Sequence, residues 1–208
     1  MAKGRENLTH RERAINGLLF NARDAELMKI KHKAHELCRE YNTLNEGDPK
    51  RQKIVKDLLG KSEKDIYLMG PIQFNYGCNT RIGKHFFANF NFTVLDDGPV
   101  TIGDHVMIGP NVSIMCASHP FLYGERENMV YPDGQVGMSE FAPKITIGSH
   151  VWIACGVIVC GGVKIGDGAV IGAGSVVTKD IPAGWFACGT PCKPVRPITE
   201  ADSRLDLL

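Results

Sequence analysis

The side chains in this sequence with most to offer a reaction are its seven histidines and seven cysteines. Imidazole ordinarily titrates near ~6.5, so at neutral pH a histidine can take a proton from a hydroxyl and pass it on. Spacing sorts the seven. His85, His105 and His150 share one local sequence, IGKHF, IGDHV and IGSHV, three residues past an Ile and just before an apolar residue. A place shared by three repeats reads as the preference of a turn. His10, His32 and His35 fall in an amino-terminal helical segment, and the last two, set among Lys and Arg, read as a solvated face. His119 alone is out of step, and Pro120 restricts its backbone. It is the candidate general base. The plain alternative is a histidine that anchors a loop.

The cysteines (Cys38, Cys78, Cys116, Cys155, Cys160, Cys188 and Cys192) are odd in number and have no paired spacing. They read as reduced thiols. Cys188-x-x-x-Cys192 has a spacing that could hold a metal, but no second ligand pair follows, so no metal is expected. Whole-chain properties exclude other classes. A net charge of +1 gives no basic surface for nucleic acid. No apolar run approaches the ~20 residues that span a bilayer. The opening MAKGRENLTHRER lacks the apolar core of a signal peptide, so a soluble, cytoplasmic protein is expected.

The elements that must position His119 are of two kinds. The first sixty residues read as helices. Thr9 and Glu12 make a capping box, and Asp24 caps a second helix with Leu27, Ile30, Ala34, Leu37, Cys38, Tyr41 and Leu44 on one face. Asp48-Pro49 opens a third, which Gly60 ends.

From about residue 66 a period of six takes over. Ile147, Ile153, Val159, Ile165, Ile171 and Val177 recur without a slip, each preceded two positions earlier by Ile145, Val151, Val157, Val163, Ala169 and Ser175. The same grammar runs through Ile102, Ile108 and Ile114, and more loosely through Ile82, Ala88 and Val94. Two inward residues flanking an outward one make a short strand, and the small residue that follows lets the chain turn. Such a chain winds into a triangular coil of stacked parallel strands, with Ile147 against Ile165 and Ile153 against Ile171. Two interruptions break the rhythm: LDDG between Val94 and Ile102, and a long Pro- and Gly-rich excursion from about 115 to 144 that begins at the out-of-step histidine. Loops on rigid scaffolds are where function concentrates. The expected organisation is a helical segment over 1–62, a β-helix over 63–198 and a tail over 199–208.

These hexads, together with FFANFN (86–91), ASHP (117–120), ITIGSHVWI (145–153), IGAGSVVTKDIPAG (171–184) and GTPCKPVR (189–196), resemble the maltose and galactoside O-acetyltransferases. The leader from Gly17-Leu-Leu-Phe to Glu40-Tyr41-Asn42 matches the same branch of the left-handed β-helix acetyltransferases. The resemblance implies a homotrimer with sites between neighbouring coils, acetyl-CoA as donor and a sugar-like hydroxyl as acceptor. It implies His119 as catalytic base. Asn75, Phe87, Asn89 and Asp97 match acceptor-side positions, although the galactoside branch has Ser and Tyr in place of Asn75 and Phe87. The leader usually carries Asp after its aromatic residue. Here Asn21 follows Phe20, with Asp24 nearby, and the choice between them stays open. On the coenzyme side the matching positions are Trp152, Cys155 (Ser in the galactoside branch), Ala173, Thr178, Lys179, Lys193 and Arg196. Three alternatives compete: Cys116 as a nucleophile three residues before His119, a metal-dependent β-helix enzyme using the corner histidines, and a catalytically silent trimeric scaffold.

Overall fold

The computed structural model describes residues 4–63, 65–127 and 129–208, so the first three residues of the charged opening and Asn128 of the excursion lie outside it. The six-residue rhythm produces three parallel sheets around one apolar column. One sheet stacks Lys61–Ser62, Thr80–Ile82, Val100–Ile102, Ile145–Ile147 and Lys164–Ile165; another stacks Ile72–Phe74, Phe92–Leu95, Ser113–Met115, Ile158–Cys160 and Val176–Val177. The third runs from Ile66–Leu68 through Phe86–Ala88, Met107–Ile108, Trp152–Ile153 and Val170–Ile171 to Trp185–Gly189. There the chain reverses, and Cys192–Pro197 pairs antiparallel to close the column.

Register is set by the inward residues. Ile102, Ile147 and Ile165 are direct partners, as are Ile108, Ile153 and Ile171, and Ile114, Val159 and Val177. Every inward position named from the sequence is buried. Each such Ile or Val contributes roughly 1.5–3 kcal/mol when removed from water. A slip of one residue would turn every one of them outward.

The coil starts one turn earlier than the clear hexads, with Ile66, Leu68, Ile72 and Phe74 already facing in. The reason they are hard to read is that Phe74 and Ile82 enclose a corner two residues too long, as Val94 and Ile102 do. These two long corners stack. Asp96, fully buried, accepts from Tyr76 N–H at 2.8 Å and Gly77 N–H at 3.1 Å on one oxygen and from the Thr80 hydroxyl at 2.9 Å on the other. Burial nonetheless pushes its carboxyl up to about 6.

Ordinary corners need a left-handed backbone. Glycine supplies it at Gly156, Gly168 and Gly174, while His85, His105 and His150 adopt it with φ of 53°, 56° and 58°. Their rings form a column, with centroids 4.6 Å and 4.9 Å apart. Parallel stacked imidazoles do not converge on one point. Among the described residues no group of three or more His, Cys, Asp or Glu could hold a metal ion.

The leader caps the open end of the first turn. Helix His10–Ile15 begins with the Thr9/Glu12 capping box, helix Ala25–Thr43 with Asp24 accepting from two backbone N–H groups, and helix Lys50–Leu58 after Pro49. Asn42 reads a strand edge both ways, donating to Ile72 O at 2.9 Å and accepting from Ile72 N–H at 2.8 Å. Tyr41 donates its hydroxyl to Leu68 O at 2.6 Å. An otherwise unpaired edge is thereby covered. No described helix is long and apolar enough to cross a membrane.

Replacing Asp96 tests the stacked corners. Asp96→Ala strands three donors and should cost about 3 kcal/mol in urea unfolding, whereas Asp96→Asn keeps acceptor and shape and should be tolerated. Because the folded-state pKa is raised above the unfolded value, wild type should lose stability relative to Asp96→Asn as pH rises from ~4 to about 6.

Candidate active site

The excursion is not a free loop. Ser118 and Phe141 exchange both backbone hydrogen bonds at 3.0 Å, closing its neck, and Ser139–Glu140 pairs antiparallel with Phe20–Asn21 of the leader. This small patch of sheet seats His119. The imidazole Nδ1 lies 3.0 Å from the Ser139 carbonyl oxygen, which can only accept, so Nδ1 carries the hydrogen and Nε2 keeps its lone pair. The His119 side chain is 42% exposed.

The seam behind that patch is polar and closed. The Tyr131 hydroxyl meets Ser139 Oγ at 2.8 Å, and its ring stands edge-on to His10 at 4.6 Å. His10 is buried; Nδ1 accepts from Asn21 N–H at 2.9 Å, and Nε2 lies 3.2 Å from Asp133 Oδ2 as an ion-pair contact without hydrogen-bond alignment. Asn21, matched by resemblance to an acceptor position, is buried here. Its amide oxygen accepts from Arg23 N–H at 3.0 Å, and its nitrogen donates to Gln135 Oε1 at 3.0 Å. Gln135 in turn donates to Asp24 Oδ2 at 3.1 Å. Both leader candidates therefore tie the leader to the excursion.

In front of His119 lies an acidic cluster. Asn75 Nδ2 donates to both Asp97 oxygens, at 2.9 Å and 3.0 Å, and Asn75 Oδ1 is 3.2 Å from His35 Nε2. His35, expected on a solvated face, is half-buried because helix Ala25–Thr43 lays that side over the coil. Sequence reasoning missed Glu140. Its Oε1 lies 3.9 Å from His119 Nε2, its side chain is 12% exposed, and its Oε2 is buried with no hydrogen-bond partner. Burial raises the Glu140 carboxyl, the neighbouring Asp97 charge adds to this, and Lys31 and His119 act against it. Tyr76, raised mainly by burial and then by Asp97 and Glu140, has a buried hydroxyl without a partner. Glu140 carries no spacing signal, since it stands in the irregular excursion and only its pairing with Phe20 brings it here.

Cys116 fits no nucleophile's setting. Its side chain is fully buried, the thiol faces Pro99 O at 3.8 Å, and burial pushes its pKa up to about 12.

Three of the seven expected coenzyme residues, Trp152, Cys155 and Ala173, gather elsewhere. A groove of about 610 Å³ runs over the third sheet, lined by Phe87, Asn89, Met107, Trp152, Cys155 and Ala173 among others. Trp152 is half exposed, and Phe87 stacks on Tyr67 with centroids 6.0 Å apart. Phe87 and Asn89 thus stand with the coenzyme set, while Asn75 and Asp97 stand with Glu140, and His119 is not in the groove wall. Asn89 Oδ1 accepts from Phe90 N–H at 2.8 Å, and its Nδ2 has no hydrogen-bond partner among the described residues. Thr178, Lys179 and Lys193 are exposed. Arg196 grips Asp202 with two hydrogen bonds of 2.8 Å and 2.6 Å.

Residues 13–63 match the maltose acetyltransferase hexapeptide capping motif, and residues 144–179 match the bacterial transferase hexapeptide model of six repeats. The galactoside O-acetyltransferase of Escherichia coli strain K12 is 38% identical over 197 residues, covering 94% of this chain and 93% of that protein. The chain belongs to the galactoside and maltose O-acetyltransferase family. A solved galactoside acetyltransferase in complex with coenzyme A superposes with a TM-score of 0.85 at 38% identity, covering 94% of each chain. A maltose O-acetyltransferase from Clostridium difficile 630 gives 0.82 at 36%, covering 93% of this chain and 99% of that one. The coil is therefore the left-handed β-helix of these acetyltransferases, and the capping-motif match is the leader that pairs with the His119 seat.

One glycine of the excursion lies directly against the Asn21 side chain. A Cβ on Gly137 would stand 2.0 Å from Asn21 Oδ1. Gly137→Ala should push the Asn21 amide off Gln135 and loosen the tie between leader and excursion, seen as faster limited proteolysis within 115–144.

Proposed function

We propose that this acetyltransferase moves the acetyl group of acetyl-CoA to a hydroxyl of a sugar, with His119 as general base. The observation that carries the reading is the Ser139 carbonyl on Nδ1, which in the neutral ring leaves the lone pair on Nε2, beside a cluster of hydrogen-bonding side chains. Nε2 takes the proton as the acceptor oxygen attacks the thioester carbonyl. The new C–O bond forms, the C–S bond breaks, and the imidazolium returns its proton to the departing thiolate, giving ester and free coenzyme A. Asn89 Nδ2, without a partner among the described residues, is the side-chain donor suited to the developing oxyanion.

The donor lies in the third-sheet groove, its pantetheine arm along Trp152, Cys155 and Ala173. Its phosphates meet Thr178, Lys179 and Lys193, and Arg196 takes part by exchanging Asp202 for phosphate. Asn75 and Asp97 serve the acceptor, as does Phe87 at the groove edge. The His119 cluster and this groove do not share walls within one chain, which favours a homotrimer in which one copy's His119 faces its neighbour's groove. The half-exposed Trp152 and Met107 lie on the surface that such packing would cover.

A thiol-release assay with acetyl-CoA and a panel of maltose, glucose and galactosides tests the reading directly. His119→Ala should lower kcat by ~10²–10⁴ with little change in coenzyme Kd. A variant that keeps full turnover removes His119 from the chemistry.

A further inference from the structure

Glu140 is a strongly buried carboxylate beside His119 with one oxygen that no described residue satisfies. Its Oε2 is enclosed without a donor, and its Oε1 stops 3.9 Å short of Nε2. A polar gap of that length is too wide for a hydrogen bond and takes a small bridging group. The surroundings are rich in acceptors and poor in donors. Asp97 lies in hydrogen-bonding contact with Glu140 and already receives Asn75 through both oxygens. Lys31 acts on Glu140 through its charge, with its Nζ placed over the Tyr76 ring at 5.3 Å. An ionised carboxylate only accepts, so the missing partner is a donor on the ligand or a proton shared with Asp97.

Resting on the sugar O-acetylation reading above, we propose that Glu140 is a specificity-determining residue: it accepts from a second hydroxyl of the acceptor, one or two carbons from the hydroxyl that His119 deprotonates. An acceptor with a single hydroxyl gives its hydrogen to Nε2 and leaves Glu140 buried and unpaired. A polyol satisfies both at once. A site built to bond a hydroxyl rejects the analogue that lacks it far more strongly than an apolar pocket rejects a change of size.

The test measures kcat/KM for wild type, Glu140→Met and Glu140→Gln. The acceptors are methyl α-glucopyranoside, methyl β-galactopyranoside and their complete monodeoxy sets. Wild type should lose ~10²-fold or more on one monodeoxy analogue of the better glycoside. Glu140→Met should bring parent and that analogue to within a few-fold of each other, mainly by losing activity on the parent, with the KM for acetyl-CoA unmoved. Glu140→Gln keeps shape and one acceptor oxygen, and guards against a Met variant that does not fold; its discrimination should still fall by about tenfold. A Met or Gln variant that retains the wild-type ratio overturns the assignment, as does a wild type indifferent to every single deoxygenation. A wild type inert towards all glycosides overturns the sugar reading itself, and this one with it.

Discussion

Inward side chains one turn apart stand directly against each other down the coil, and everything else in the molecule is placed by that stacking. Ile102, Ile147 and Ile165 pair in register although the first two are separated by the whole excursion. Aliphatic pairs packed at crystal-like density tolerate neither a slip nor a gap. The excursion must therefore leave and re-enter the column at fixed points, and its neck is held at Ser118 and Phe141. A rigid neck is what allows a single imidazole to be displayed reproducibly.

The candidate site joins parts of the column to parts that the column does not contain. The leader brings His35, Asn21 and the strand Phe20–Asn21; the excursion brings His119, Ser139 and Glu140; the coil brings Asn75, Asp97 and the buried Asp96. Asp96 and Asp97 show how closely the roles adjoin. The first holds two stacked corners together, and its neighbour joins Asn75 and Glu140 in the acidic cluster. The insertion that breaks the six-residue rhythm is what makes room for both.

Most of the column was legible in the sequence because one physical pattern, two inward residues in six, repeats without error from Ile145 to Val177. The corner histidines were legible for the same reason, and their left-handed backbone explains why His, Asn and Gly share those places. The first turn was obscured by the long corner after Phe74. His35 was misread as solvated because its helical neighbours are charged, while its burial is decided by the coil beneath. Glu140 was invisible for a deeper reason. Its position depends on an antiparallel pairing between residues far apart in the chain, and no local period encodes such a meeting. The distinct roles of Asn21 and Asp24 likewise follow from contacts with Gln135 that spacing does not foretell.

The pairing of Phe20 with Glu140 also has a bearing on how the chain is made. As the polypeptide leaves the ribosome, the amino-terminal helices emerge early and can settle on the first turn, yet their short strand must wait until the excursion has been synthesised and has doubled back. Maturation of the reactive pocket is thus deferred to a late stage of biogenesis. A nascent molecule arrested before that point would already possess the first turns of the apolar column and their cap, but no seat for the imidazole.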